Sequence, residues 1–354
     1  MNPEQKHPLR RYWDLAAAPI QAQALNTALS LGIFEHLPEP RTPDELAVQF
    51  GLNSRNTAHL LELLWAMGLL ERSARPALDR IGGSEPVYRL AEVGRAYFLA
   101  ASPAWSGDAW RYRQARLLQA AGLLQEQVQQ GAQAEGGQAL ERMAEQWATA
   151  ARGQLAQDQH AATVPAALEI MLRVPEFAAA ANLLDLGGGP GWVAIELARR
   201  QSGLCGVVFD FPEAVAVATE NIAASGLADR LSVLGGDLAI DAIGRVGGGD
   251  YDLVWCSSVL HFVPDTEAVL RKILAALRPG GALVCAHAEI GDEPAAAAEV
   301  LQYYLPMLMQ GRHVGRQGDM AAALRRLGFC RIETFACALF PMAPLQVVVA
   351  RKDA

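Results

Sequence analysis

The chain has 354 residues, 51% hydrophobic and 19% charged, with a formal net charge of -8. The length exceeds one ordinary domain, so two domains are expected. The negative balance gives no overall attraction to nucleic acid or an anionic membrane, and no clean apolar span of about 20 residues is present, which leaves a small molecule or another protein as partner.

Residues 10–37 carry an apolar helical pattern, Ile20, Ala24, Leu25, Ala28, Leu29 and Leu31, closed by Gly32. Thr42, Pro43, Asp44 and Glu45 make a cap and an acidic first turn for a short helix ending at Gly51. Asn53 or Ser54 caps a second helix with Leu60, Leu61, Leu63, Leu64 and Met67, closed by Gly68. Residues 69–72 and 87–90 read as two strands around a loop at Gly82 and Gly83. This is a winged helix-turn-helix outline. Used on DNA, its second helix would offer only Arg55 and His59 as cations, beside Glu62 and Trp65, where a DNA reader needs a basic face. Contact with a second copy of the chain is the expected use, and Tyr12 and Trp13 are placed to reach toward a partner.

Residues 109–171 read as helical, with Leu117, Leu118, Leu123, Leu124 and Val128 before a break at 131–137, and Leu140, Met143, Trp147, Leu155, His160, Val164, Leu168 and Met171 after it. Beyond it, strands at 183–186, 204–209, 231–234, 251–256 and 282–285 alternate with helices at 192–200, 212–224 and 266–277, the pattern of a parallel α/β sheet. A helix at 320–327 precedes strands 331–338 and 345–351, which close the sheet as an antiparallel hairpin. We assign 1–105 to a mainly α winged-helix dimerisation domain, 106–175 to a helical bridge and pocket wall, and 176–354 to a ligand-binding catalytic domain. Five cysteines, Cys205, Cys256, Cys285, Cys330 and Cys337, lack CxxC spacing, so neither a disulfide framework nor a metal is expected. With no apolar signal core at the amino terminus, the cytoplasm is the expected compartment.

The first strand of the sheet runs into the turn Asp185-Leu186-Gly187-Gly188-Gly189-Pro190-Gly191, the place where doubly wound sheets bind ligands. A dinucleotide fingerprint started at Gly187 puts Trp192 where the third glycine belongs and sets Asp185 beside the phosphates. Read as Asp-x-Gly-x-Gly-x-Gly, the residues Asp185, Gly187, Gly189 and Gly191 suit a ligand with a cationic amino acid end and no phosphate. This resembles the first motif of class I S-adenosylmethionine-dependent methyltransferases. A dinucleotide dehydrogenase is the reading that Trp192 opposes.

Asp210 ends the second strand, where a carboxylate accepts both ribose hydroxyls, the favoured role, and can at the same time cap the helix that starts at Pro212. Phe211 beside it faces an adenine or packs in the core. Asp237 follows the third strand, so three acids succeed one another along one rim. After the fourth strand comes Cys256-Ser257-Ser258-Val259-Leu260-His261-Phe262, which puts His261 just past the rim as a general base or a positioning residue.

In this order the winged module, the bridge, the Asp185 motif, Phe209-Asp210-Phe211-Pro212, Gly236-Asp237 and Val259-Leu260-His261 resemble the small-molecule O-methyltransferases of plant phenolic and bacterial polyketide tailoring. The resemblance implies a Rossmann-like class I sheet, S-adenosyl-L-methionine as donor, S-adenosyl-L-homocysteine as product, a homodimer through the N-terminal domain and an aromatic or polycyclic acceptor. It makes His261 the base and Asp185 to Gly191, Asp210, Asp237 and Leu238 cofactor contacts. Three departures stand out. Phe262 follows the base where the family has an acid, Ser257 stands where Lys or Arg touches the cofactor, and Gly311-Arg312-His313-Val314-Gly315 lacks the orienting Glu. They leave room for a carbon acceptor, as in tetrapyrrole C-methyltransferases, or for an acceptor already carrying its charge. A winged-helix regulator sensing a small molecule is the reading from another class. Trp147, His160, Tyr303, Tyr304, Met307 and His313 are the pocket candidates.

Overall fold

The computed structural model describes residues 6–76, 83–131, 147, 149–244 and 251–353. Gly82 of the wing loop, the 132–137 part of the bridge break, Leu140 and Met143 lie outside the described residues. The chain divides into two compact units, Met1–Gln114 and Ala115–Ala354.

In the first unit α1 (Arg10–Ser30) stops where Gly32 takes a left-handed φ of 66°, a conformation that costs glycine little. The expected caps form. Thr42 Oγ1 accepts the Glu45 N–H at 3.1 Å while Glu45 accepts the Thr42 N–H at 2.8 Å, starting α2 (Pro43–Phe50), and Asn53 caps α3 (Ser54–Ala66). The wing, β1 (Leu70–Pro76) and β2 (Ser84–Leu90), is antiparallel and longer than the apolar pattern indicated. Its extra length is polar and carries two ion pairs, Arg75 bonding Glu45 at 2.6 Å and Glu85 at 2.8 Å. On α3, Glu62 is bound by Arg72 and Tyr88 of the wing, so the helix that would read DNA carries a fixed carboxylate. Helices α4 (Glu92–Tyr97) and α5 (Gly107–Gln130) follow. The core gathers Ala28, Ile33, Phe34, Leu37, Leu46, Leu61, Leu64 and Leu90. The first half of α1 contributes nothing to it. Trp13 (70% exposed), Leu15 (69%) and Ile20 (66%) face out, more apolar surface than a lone domain usually leaves bare.

The boundary falls within α5, whose larger part from Ala115 onward belongs to the second unit, and α6 (Gln154–Asp158), a π-helical turn at Gln159–Thr163 and α7 (Val164–Met171) come later in it. Its sheet comprises β3 (Asn182–Leu186), β4 (Cys205–Asp210), β5 (Leu231–Gly235), β6 (Tyr251–Ser257), β7 (Leu277–His287), β8 (Cys330–Cys337) and β9 (Leu345–Arg351), in the order β5-β4-β3-β6-β7-β9-β8. The five strands from β5 to β7 run parallel, and β9 runs antiparallel to β7 and to β8. Helices α8 (Trp192–Arg200), α9 (Pro212–Ala224), α10 (Thr266–Ala276), α11 (Pro294–Met309) and α12 (Asp319–Arg326) connect them. Both sheet faces are covered. Leu183, Val208, Leu253, Trp255 and Val284 belong to one core layer, and Leu184, Leu186, Phe209, Val254, Cys256 and Cys285 to the other, as the period of two requires. The order reverses beside β3, so the carboxyl ends of β3 and β6 open a switch-point crevice. Strand β7 runs two residues past the expected 282–285, as far as His287, because β9 continues to pair with it. Among the described residues no helix is long and apolar enough to cross a membrane.

Candidate functional site

The glycine turn after β3 is built by backbone geometry. Gly187, Gly189 and Gly191 take φ of 71°, 54° and 80°, which side-chain-bearing residues rarely adopt. The Gly187 and Gly188 N–H groups donate to the Phe209 carbonyl at 2.8 and 3.2 Å, tying the turn to β4. A Cβ on Gly187 would stand 2.6 Å from the Val259 side chain, one on Gly188 2.7 Å from the Asp185 carboxyl, and one on Gly191 3.2 Å from Ala218. Gly189 differs, for a Cβ there would meet nothing closer than 3.9 Å. The turn is packed beneath and open at Gly189, a cradle with room above it.

The three acids do not share one role. Asp210 Oδ2 accepts the Gly189 N–H at 2.8 Å and Oδ1 the Phe211 N–H at 2.7 Å, so this carboxylate stands at the cradle's lip, with its pKa raised by burial. Asp237, half-buried after β5, accepts the Ala239 N–H at 2.8 Å in a local turn, and Leu238 beside it is buried. Asp185 corrects the expectation of three acids on one rim. It is 1% exposed, lies under Gly188, and its Oδ2 faces the Ala194 N–H at 3.3 Å in the first turn of α8. Burial pushes its pKa up to about 7. The reason is the period of the strand: Asp185 points to the α8 side while the ligand crevice lies beyond the strand's end.

One residue of this turn was absent from the expectations. Gln159 on the π-helical turn donates through Nε2 to the Gly188 carbonyl at 3.0 Å and accepts the Trp192 N–H at Oε1, also 3.0 Å. A π turn is a frequent mark of function, yet no local residue pattern announces it. His160, next in line, meets the Trp192 ring at 4.3 Å with the two planes tilted by 46°.

Past β6 the chain turns at Ser258, a non-glycine residue at φ 54°, into a short 3-10 turn, Leu260–Phe262. His261 is half-buried, with the rings of Phe262, Tyr304 and His287 at 4.2, 5.7 and 6.4 Å. Burial, with the Arg312 cation adding to it, pushes its pKa down to about 3. The three rings named around it are all uncharged groups or imidazole. Arg312 lies over Phe262 at 5.2 Å and donates to the Phe262 carbonyl at 3.4 Å.

Of the pocket candidates, Trp147 meets Phe262 edge-on at 5.1 Å. Tyr304, a buried member of the core layer, has its ring 5.7 Å from that of His261, and Tyr303 and Met307 are half-buried against the same layer. His313 is exposed, and its neighbour Arg312 is the residue that reaches the His261 loop. Ser257 and Phe211 are half-buried, at the end of β6 and the start of α9.

Comparison with known proteins meets this geometry from outside. A model described as a methyltransferase domain matches residues 156–333, and one described as an O-methyltransferase dimerisation domain matches 13–99. The chain is 30% identical over 332 residues to the tetracenomycin polyketide synthesis 8-O-methyl transferase TcmO of Streptomyces glaucescens, covering 89% of each chain. It is 30% identical over 283 residues to the N,N-dimethyltransferase OxyT of Streptomyces rimosus, covering 78% of this chain and 77% of that one. The fold is shared with human N-acetylserotonin methyltransferase solved in complex with SAM, at a TM-score of 0.77, 21% identity and full coverage of both chains.

Proposed function

The chain belongs to the S-adenosyl-L-methionine-dependent methyltransferases that carry an O-methyltransferase dimerisation domain, and on that premise we propose that it methylates a readily ionised hydroxyl on a flat aromatic or polyketide acceptor. The observation that carries the acceptor class is the company of His261, an imidazole with aromatic rings and the Arg312 cation beside it and, among the described residues, no carboxylate bonded to it. Bound, S-adenosyl-L-methionine supplies a methyl group on a sulfonium that a nucleophile takes in line, leaving S-adenosyl-L-homocysteine. The Gly187 to Gly191 cradle and Asp210 hold the donor, with Phe211, Asp237, Leu238 and Ser257 along its adenosine side. Asp185 acts from below by keeping the turn and α8 in register. Trp147, His160 and Tyr304 flank the acceptor.

A base with a pKa near 3 gains little by taking a proton from an ordinary phenol. His261 therefore donates its one N–H to the acceptor's oxyanion and orients it, and Arg312 favours the same charge. A nitrogen acceptor is the second reading, since OxyT is named an N,N-dimethyltransferase and a neutral amine needs no base. Labelled methyl transfer to phenols, naphthols and hydroxyquinones of graded acidity tests the reading. The acid limb of kcat/KM is expected to move with the acceptor's own pKa, and His261→Ala to lose less than the roughly 100-fold that marks a general base. A limb fixed at one pH across all acceptors would assign it to an enzyme base and overturn the proposal.

The first unit makes a homodimer through the bare face of Tyr12, Trp13, Leu15 and Ile20. The five free cysteines fit the reducing cytoplasm.

A further inference from the structure

The turn that carries His261 hangs from one buried imidazole. His287, the last residue of β7, is 6% exposed, and its Nε2 accepts the backbone N–H of Val259 at 3.2 Å and of Leu260 at 3.0 Å. Two hydrogens aimed at one nitrogen leave no room for a third, so Nε2 is bare and the ring's proton is on Nδ1. Nδ1 lies 3.2 Å from Cys285 Sγ, to which it donates. Cys285 sits on the same face two residues earlier, directly across from Cys256 on β6. The Cys256 hydrogen bond and His287 hold the Cys285 thiol below its usual pKa, while burial pushes Cys256 well above.

Cys256, Cys285 and His287 come within 4.8 Å of one another, the spacing of a metal site. Their hydrogen bonds oppose one. A metal on Nδ1 needs that lone pair, and with two N–H groups already on Nε2 the ring would have to lose its only proton.

The turn needs such an acceptor. The chain leaves β6 through the left-handed Ser258, whose N–H goes to the Ala286 carbonyl at 3.0 Å. The next two N–H groups open a 3-10 turn and have no carbonyl upstream to accept them. Val259 is also the side chain pressed against Gly187 of the cradle. We propose that His287 is a positioning residue for methyl transfer: a neutral imidazole, its tautomer set by Cys285, that caps the turn and thereby fixes where the His261 ring stands. The link to catalysis rests on the reading that residues 258–262 line the acceptor site.

Imidazole nitrogen NMR of the full chain is expected to report a proton on Nδ1 of His287 and none on Nε2, and a proton on Nε2 would overturn the inference. In hydrogen exchange of the intact protein, His287→Phe is expected to speed the Val259 and Leu260 amides by about tenfold or more, and His287→Gln, which keeps an acceptor oxygen, to recover most of the protection. Equal exchange in wild type and His287→Phe, or no recovery in a folded His287→Gln, would also refute it. Should His287→Phe fail to fold, Cys285→Ala stands in: loss of the single Nδ1–H tautomer is expected, and its retention would count against the role of Cys285. With the phenol panel, kcat is expected to fall in His287→Phe while S-adenosyl-L-homocysteine affinity stays within about threefold; an unchanged kcat would remove the positioning role. The NMR and exchange readouts use no acceptor, so they can fail only through this inference, and the acidity test only through the functional reading.

Discussion

Alanine at Gly189 and at Gly187 separates the two things the glycine turn does. Both positions have positive φ, 54° and 71°, and an L-residue there costs roughly 1–2 kcal/mol. At Gly189 that is the whole cost to the fold, because the new methyl meets nothing within 3.9 Å. At Gly187 the methyl arrives 2.6 Å from Val259, and overpacking adds about 1–3 kcal/mol. For a domain of roughly 150–250 residues each kcal/mol moves Tm by about 2–4 °C. Gly189→Ala should then lower Tm by about 2–8 °C and Gly187→Ala by about 4–20 °C, with the first always the smaller loss. Binding should rank the other way for its cost to stability: the Gly189 methyl stands in the donor's place, so Kd for S-adenosyl-L-homocysteine should rise about tenfold or more, equivalent to 1.4 kcal/mol. Calorimetric titration and thermal unfolding on the same preparations decide it. Gly189→Ala binding within about threefold of wild type would mean that the donor does not lie at this turn.

Asp210→Ala should weaken S-adenosyl-L-homocysteine binding about tenfold or more by titration while unfolding stays cooperative, and unchanged affinity would count against the ribose role. Gln159→Ala removes two hydrogen bonds, to Gly188 and from Trp192, worth about 1 kcal/mol each, so Tm should drop by about 4–8 °C. Asp185 yields a pH prediction. Its folded pKa of about 7 lies above the usual 3.8, so its stabilising contribution is complete below about pH 4 and lost as pH rises through 7. Asp185→Asn should therefore gain Tm relative to wild type between pH 5 and pH 8, and a difference independent of pH would refute the burial argument.

Most of the fold was legible in the chain because it rests on local rules. Thr42 with Glu45 and Asn53 are caps wherever they precede an apolar helical pattern, and both form. Strand and helix alternation after residue 182 sufficed for the parallel sheet, and the closing hairpin lies where its two apolar strands sit. Where the reading fell short, the signal was not local. The outer part of the wing is strand through its pairing across the hairpin, Ser73 with Val87 to Pro76 with Ser84, which no apolar pattern along either strand announces. The end of β7 is settled by pairing with β9, beyond the reach of any window along β7 itself.

The site divides in the same way. From the sequence alone came the kind of ligand: glycine spacing, Trp192 in place of a third glycine, and the missing acids around His261 are matters of residue type, and type sets backbone freedom and charge. What each group does required the third dimension. Asp185 faces inward because of strand parity, the Tyr304 ring comes beside His261 because of where its helix packs, and Gln159 reaches the turn because a helix gains one residue in its winding. His287 becomes the anchor of the His261 turn only because β6 and β7 lie side by side, where two unpaired N–H groups need an acceptor and a buried imidazole is the nearest one.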